Sequence, residues 1–323
     1  MKRKKTNRSK IFIGEKPCTE GGLNKIYDAT WRGKSYVAKE PKKNSKANKK
    51  ANYKEILILD KYGKQHKNLA KRGAIYKSKN EDCYCMLIEK YSKTLEKEFK
   101  ENRYDYMRDT IEKLEGLSDS VSFLHSKGIM HQDIKPSNIG MKSKNEAVLF
   151  DFGSALSFPP SRPHNCPIPT THAHQNIPTQ HNQHNQHTQH TQHTHSYYKR
   201  ALSFSFPFTP REGVQYPSPS SDLYSLSLFF YTRIFKTKAF FQNNNLRNLL
   251  QLEHFTKVSS VITHKLNPAA FSFIPFAALL RQLGQYMELA LHSKIHQRVD
   301  SQSFHSFLAK LKNKFQLLGA TLF

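Results

Sequence analysis

The sequence predicts an α+β chain of two lobes, a small one rich in strands with one main helix and a larger one that is mainly helical. Three observations carry this. Short runs of β-branched and aromatic residues, broken by turn signals, occupy the stretch before residue 90. After residue 108 the apolar residues recur every third or fourth position, the spacing of a helix face packed on a core. Residues 157 to about 210 are different again, rich in Pro, Ser, Thr, Gln and His, and have nothing with which to build a core, so they read as a disordered insertion.

Taken in order, residues 1–10 are a basic tail, 11–89 the strand-rich lobe, 90–311 the helical lobe and 312–323 an extension. Strands are predicted at Ile11–Ile13, Lys25–Ala29 and Ser35–Lys39, with Arg32-Gly33-Lys34 as the hairpin turn between the last two. A helix is predicted over Ala51–Tyr62, where Ile56 and Leu59 share a face, followed by strands at Ala74–Tyr76 and Cys83–Glu89. Ile111, Leu114, Leu117, Val121 and Leu124 mark a helix over Arg108–Ser126. Further helices are predicted at Leu223–Phe235, Phe276–Leu291 and Ser303–Leu318.

The formal charge of +26 is concentrated at the start, where the first 50 residues hold sixteen Lys and Arg against four acidic residues. Such a surface attracts an acidic protein partner, nucleic acid or anionic lipid, although the simplest reading is a solvated, solubilising face. The four cysteines include one C-x-C pair, Cys83 and Cys85, whose side chains point the same way from a strand, and no second pair at metal-ligand spacing. The thiols read as reduced and the compartment as intracellular. The basic start is not followed by an apolar stretch of signal-peptide length, and no 18-residue apolar run occurs. The expectation is a soluble cytoplasmic chain, or a nuclear one if Met1-Lys2-Arg3-Lys4-Lys5 is an address.

The strongest signal is His131-Gln132-Asp133-Ile134-Lys135-Pro136-Ser137-Asn138, followed by Leu149-Phe150-Asp151-Phe152-Gly153. It resembles the catalytic loop and metal-binding loop of the eukaryotic-type protein kinase family. An isolated aspartate in a loop is usually a turn or cap residue, so the weight lies in the conjunction. The resemblance implies the two-lobed kinase fold, ATP and Mg2+ as cofactors, and transfer of the γ-phosphate to protein serine or threonine hydroxyls. Asp133 would be the carboxylate beside the attacking hydroxyl, Lys135 the cation on the moving phosphoryl group, and Asn138 with Asp151 the magnesium ligands. Lys135 in that position favours Ser/Thr over Tyr.

Carried upstream, the resemblance makes Lys39 the strand lysine that meets the α- and β-phosphates and Glu55, sixteen residues on, its partner on the helix. The phosphate-covering loop matches loosely: Thr19-x-Gly21-x-x-Asn24-x-Ile26 puts only Gly21 in place, with Gly22 beside it, and a second register uses Gly14. Cys85–Tyr91 looks like the strand and hinge between the lobes, with Ile88 as gatekeeper and the backbone from Glu89 to Tyr91 facing the adenine edge. Val37 stands where the family usually has alanine and Gly140 where it usually has leucine, which predicts weaker nucleotide binding. Asp222 falls where the family's central helix holds the catalytic loop by its backbone amides, Thr209–Glu212 where it has A-P-E, and Arg298 where that glutamate's arginine lies.

Gln132 replaces the arginine that pairs with an activation-loop phosphate in many members, so activity is expected not to require that phosphate. Asp151 to Glu212 spans 61 positions, which a fold tolerates because loop-closure entropy grows logarithmically. The nine histidines of the insertion, in a near-perfect triplet run from His181 to His195, offer zinc, copper or nickel ligands, though a triplet expansion with no selected role is the simpler reading. Two other functions compete: a pseudokinase or scaffold that docks a partner by its basic surface, and a small-molecule phosphotransferase sharing the lobed fold.

Overall fold

The computed structural model describes residues 10–20, 24–42, 45–78, 83–101, 107–159, 217–235, 274–292 and 295–320. These fall into two compact units. One takes in the chain up to Phe123 together with Ile134–Ala155, the other Leu124–Asp133 together with the chain from Leu156.

The first unit is built on an antiparallel sheet of β1 (Ile11–Ile13), β2 (Thr19–Glu20), β3 (Asn24–Trp31), β4 (Lys34–Pro41), β5 (Arg72–Lys77) and β6 (Tyr84–Glu89), in the order β1-β3-β4-β6-β5 with β2 against β3. The β3–β4 turn is Arg32-Gly33, with φ of +53° and +76°. Two successive left-handed residues make a type I′ turn, whose twist matches that of the flanking strands. Alternation then sorts the side chains. Tyr27, Ala29 and Trp31 pack with Tyr36, Ala38 and Leu87 on one face. The register pairs Ile26 with Lys39, Val37 with Ile88 and Lys39 with Met86 on the other.

Helix α1 (Lys46–Tyr62) follows β4 and starts five residues before the predicted Ala51. Ser45 explains the difference, since its extended backbone and side-chain oxygen, which accepts from Asn48 N–H at 3.2 Å, form an N-cap. The unit also holds β7 (Lys93–Thr94), α2 (Leu95–Glu101) and a three-stranded sheet in which β9 (Ile139–Met141) lies between β10 (Ala147–Leu149) and β7. These elements are too short to show a period in the sequence. Helix α3 (Met107–Ser126) appears as predicted, and all five apolar residues of its stripe are buried.

In the second unit β8 (Ile129–Met130) pairs with β11 (Leu156–Ser157), and three helices follow: α4 (Pro219–Phe235), α5 (Ile274–Ala290) and α6 (Ser301–Ala320). Each begins two to four residues ahead of its prediction. Their core is large and apolar, with Leu223, Leu226, Phe230, Tyr231, Leu283, Met287, Phe304 and Leu308 all buried. The mixed α+β class predicted from the sequence is the class observed.

Candidate active site

The first unit gathers three of the predicted residues into direct contact. Lys39, on β4 and only 4% exposed, places its Nζ 2.7 Å from Glu55 Oε2 and 2.6 Å from Asp151 Oδ1. Burial alone would lower the lysine's pKa, but the charges of Asp151 and Glu55 outweigh it and hold the ammonium well above the usual lysine range. Burial pushes the Glu55 carboxyl up, and the Lys39 ammonium opposes that push. The glutamate's other oxygen, Oε1, accepts from Phe152 N–H at 3.2 Å. A single carboxylate on α1 therefore ties β4 to the loop that carries Asp151.

Asp151 itself adopts a left-handed backbone, with φ of +66°. Few non-glycine residues take up that conformation, and aspartate does so more readily than most. Asn138 ends a short turn of 3-10 helix from Pro136; its amide donates to the Lys135 carbonyl at 2.9 Å and its carbonyl accepts from Phe150 N–H at 3.1 Å. That last bond sets Asn138 beside the residue preceding Asp151. Ile26 and Val37 share the sheet face of Lys39, so this face carries three of the predicted nucleotide contacts with Ile88. Gly21 and Gly22 lie outside the described residues, as do Thr209–Glu212 and the histidines of the insertion.

In the stretch expected to be the hinge, the Glu89 amide donates to the Lys71 carbonyl at 3.1 Å, which ties the end of β6 to the residue before β5. Tyr91 accounts for the unusual glycine at 140. A Cβ built on Gly140 would lie 2.3 Å from the tyrosine Cδ2, and the ring stacks on Phe150 with centroids 6.1 Å apart. The space a larger side chain would need at 140 is thus filled from Tyr91. Burial, and then the Glu89 charge, push the tyrosine hydroxyl above its ordinary range. Gly140→Leu is expected to destabilise the protein by about 1–3 kcal/mol, the usual range for overpacking. Tyr91→Ala in the same chain should recover part of that loss, and thermal unfolding of the two variants checks it.

One contact was not foreseen. Lys54, next to Glu55 on α1, donates from Nζ to the Ala155 carbonyl at 2.6 Å, beyond the Asp151-Phe152-Gly153 turn. Burial lowers its pKa to about 8, against the pull of Glu55 and with a small push from Lys50. Adjacent residues of one helix turn thus grip both ends of the same loop. Nothing local marks Lys54 among the many lysines nearby.

Within the second unit, α4 holds the residues that lead into Asp133. Asp222, on α4 and 2% exposed, accepts from His131 N–H at 2.7 Å and Gln132 N–H at 2.8 Å, backbone amides of the loop it was expected to hold. Its Oδ2 also lies 3.0 Å from His125 Nε2, and the other ring nitrogen lies 3.0 Å from Ser301 Oγ. Asp133 N–H donates to His131 Nδ1 at 3.3 Å, and Asp133 is buried. Gln132 has φ of +64°, and its Nε2 donates to the Ser218 carbonyl at 3.1 Å. The guanidinium of Arg298 lies over the Tyr224 ring at 4.7 Å and its Nε donates to the His292 carbonyl at 2.7 Å.

The family model described as Protein kinase domain matches residues 15–315. The chain belongs to the protein kinase family. Among curated relatives, this kinase chain is similar to a probable serine/threonine-protein kinase of Dictyostelium discoideum, 28% identical over 146 residues, or 44% of this chain. It is also similar to serine/threonine-protein kinase AtPK1/AtPK6 of Arabidopsis thaliana, 54% identical over 39 residues (12% of this chain). Serine/threonine-protein kinase ELM1 of Saccharomyces cerevisiae is 45% identical over 51 residues (16% of this chain). The chain spans 8% of the length of each of these three relatives. Among the described residues of the kinase no helix is long and apolar enough to cross a membrane.

Proposed function

We propose that this kinase transfers the γ-phosphate of ATP, held as its magnesium complex, to serine or threonine hydroxyls of proteins. The observation that carries the reading is the buried Lys39 ammonium, kept charged and aimed by Glu55 and Asp151 on a face shared with Ile26 and Val37. A fixed cation beside an apolar strand face suits a triphosphate attached to a flat base.

The donor set fits magnesium. Asp151 keeps its side chain one-third exposed, at 33%, and Asn138 adds an amide oxygen. Magnesium takes few protein oxygens and fills its remaining positions with water and phosphate. When bound, it neutralises charge on the phosphate oxygens and holds them in place. In this reading Lys39 orients the α- and β-phosphates, Asp133 accepts the proton of the attacking hydroxyl, and Lys135 meets the charge on the transferred group. Asp222 keeps the Asp133 loop in shape through two amides. The names of the relatives support serine and threonine as acceptors.

Gln132 supports independence from activation-loop phosphorylation. Its side chain is already committed to the Ser218 carbonyl, a neutral tether where an arginine would wait for a phosphate. The test is incubation of the purified chain with γ-labelled ATP, magnesium and generic protein substrates. Label on serine or threonine, lost on chelation and unchanged after phosphatase treatment of the kinase, is expected. No transfer, or transfer only to small-molecule hydroxyls, overturns the proposal.

A further inference from the structure

Cys83 and Cys85 take no part in the site described above. Both are thiols, and their sulfurs lie 3.6 Å apart. Alternation explains the approach, because residues two apart along a strand project from the same face. A buried cysteine is ordinarily a small apolar filler. This pair keeps more polar company. Tyr76 stands opposite Cys85 in the β5–β6 register, and Ser78 N–H donates to the Cys83 carbonyl at 2.9 Å. The Tyr76 and Ser78 hydroxyls both donate to the carboxylate of Glu40, at 2.9 and 3.2 Å. Among the described residues no group of three His, Cys, Asp or Glu side chains is placed to hold a metal ion, and two thiols alone fall short of a zinc set.

The two cysteines are unequal. Cys83 keeps 8% of its surface exposed and lies just outside β6, whereas Cys85 is fully enclosed within it. One can meet a small oxidant, and the other can only answer its neighbour. Residues two apart on a strand stand about 6.6 Å from each other, near the upper end of the Cα separation that a disulfide spans. Side-chain rotation with a small contraction of the backbone would close the bond, and a bond closed in that way is readily reduced again.

The contraction falls on Tyr84. Continuing the β4–β6 register past Lys39 and Met86 sets Tyr84 opposite Pro41, which has no N–H to give. Asn52 of α1, itself buried, donates from Nδ2 to the Tyr84 carbonyl instead. Asn52 stands three residues before Glu55, nearly one helical turn. The residue between the two cysteines therefore anchors the helix that presents Glu55 to Lys39.

We propose that Cys83 and Cys85 form a reversible disulfide whose closure draws the Tyr84 carbonyl away from Asn52 and loosens α1. A peroxide supplies the oxidising equivalents. The Cys83 sulfur attacks one oxygen of hydrogen peroxide, the O–O bond breaks, and the departing hydroxide takes up the thiol proton as water. The Cys85 sulfur then attacks the resulting sulfenic acid. The S–S bond forms, the S–O bond breaks, and a second water leaves with the Cys85 proton. Two thiols and one hydrogen peroxide thus give one disulfide and two waters, and an added dithiol reverses the change. The bond and the loosening of α1 do not depend on the catalytic reading; their effect on phosphate transfer rests on it.

The test treats the full chain with a small excess of hydrogen peroxide and then blocks the remaining thiols with iodoacetamide. Trypsin releases residues 80–90, which hold both cysteines, as one peptide. That peptide is expected to be two hydrogens lighter and to carry no alkyl group, and to carry two after reduction with dithiothreitol. Hydrogen exchange across α1 should speed up by about tenfold on oxidation, the usual worth of one buried hydrogen bond, and slow again on reduction. Cys83→Ser and Cys85→Ala should each abolish both changes. Asn52→Ala should still form the disulfide, while its α1 exchanges at the faster rate before any oxidant is added. Cysteines that are oxidised or alkylated separately, or a disulfide that leaves α1 exchange unchanged, overturn the proposal. A disulfide that loosens α1 with no fall in phosphate transfer upholds it and counts against the role assigned to Lys39 and Glu55.

Discussion

Asp133→Asn is expected to lower kcat for phosphate transfer by about 10² to 10⁴-fold, the range over which a positioned base contributes. The substitution keeps size and hydrogen-bonding reach but removes the carboxylate proposed to take the hydroxyl proton. The loop around residue 133 is held by its backbone: Asp222 accepts the amides of His131 and Gln132, and Asp133 N–H donates to the His131 ring. Shape should therefore survive while the chemistry is lost. Circular dichroism, ATP binding and single-turnover transfer, measured on both proteins, separate the two. A variant that transfers phosphate at more than a tenth of the parent rate removes Asp133 from its assigned role.

Asp222→Ala is expected to cost about 3–5 kcal/mol of stability, the usual result of removing one partner from a buried charged network. The aspartate side chain is 2% exposed and serves two backbone amides and a histidine ring. Alanine would leave these donors buried with no acceptor. Asp222→Asn should recover little, because its amide nitrogen would face a donor wherever it turned. Chemical denaturation of the unmodified and substituted chains measures the difference. A loss under 1 kcal/mol would mean that water or another side chain takes over the acceptor role.

How much of this was legible depended on distance along the chain. Asp133, Lys135, Asn138 and Asp151 fall within the short stretch from His131 to Gly153, so resemblance to the family's two loops singled them out as candidates. Lys39 and Glu55 followed from the same resemblance carried upstream, and the fold pairs them across sixteen positions. The contact of Lys39 with Asp151 spans 112 positions, and nothing in either neighbourhood announces it. The same holds for Lys54 and Ala155, 101 positions apart. At Gly140 the sequence showed that a side chain was missing, but only the fold shows that Tyr91 fills the space.

Periodicity, turn chemistry and capping act between near neighbours, and so the strands, the Arg32-Gly33 turn, the long helices and the order of the catalytic motifs follow from residues lying side by side. Burial and charge pairing act between residues brought together by packing. For that reason folding alone decided that the Lys39 ammonium is enclosed by two carboxylates, that one glutamate holds both a strand and a loop, and that Tyr53 and Leu57 face solvent while Ile56 and Leu59 do not. A lysine among many lysines has no distinctive local signature; its charge is set by what surrounds it once water has been excluded.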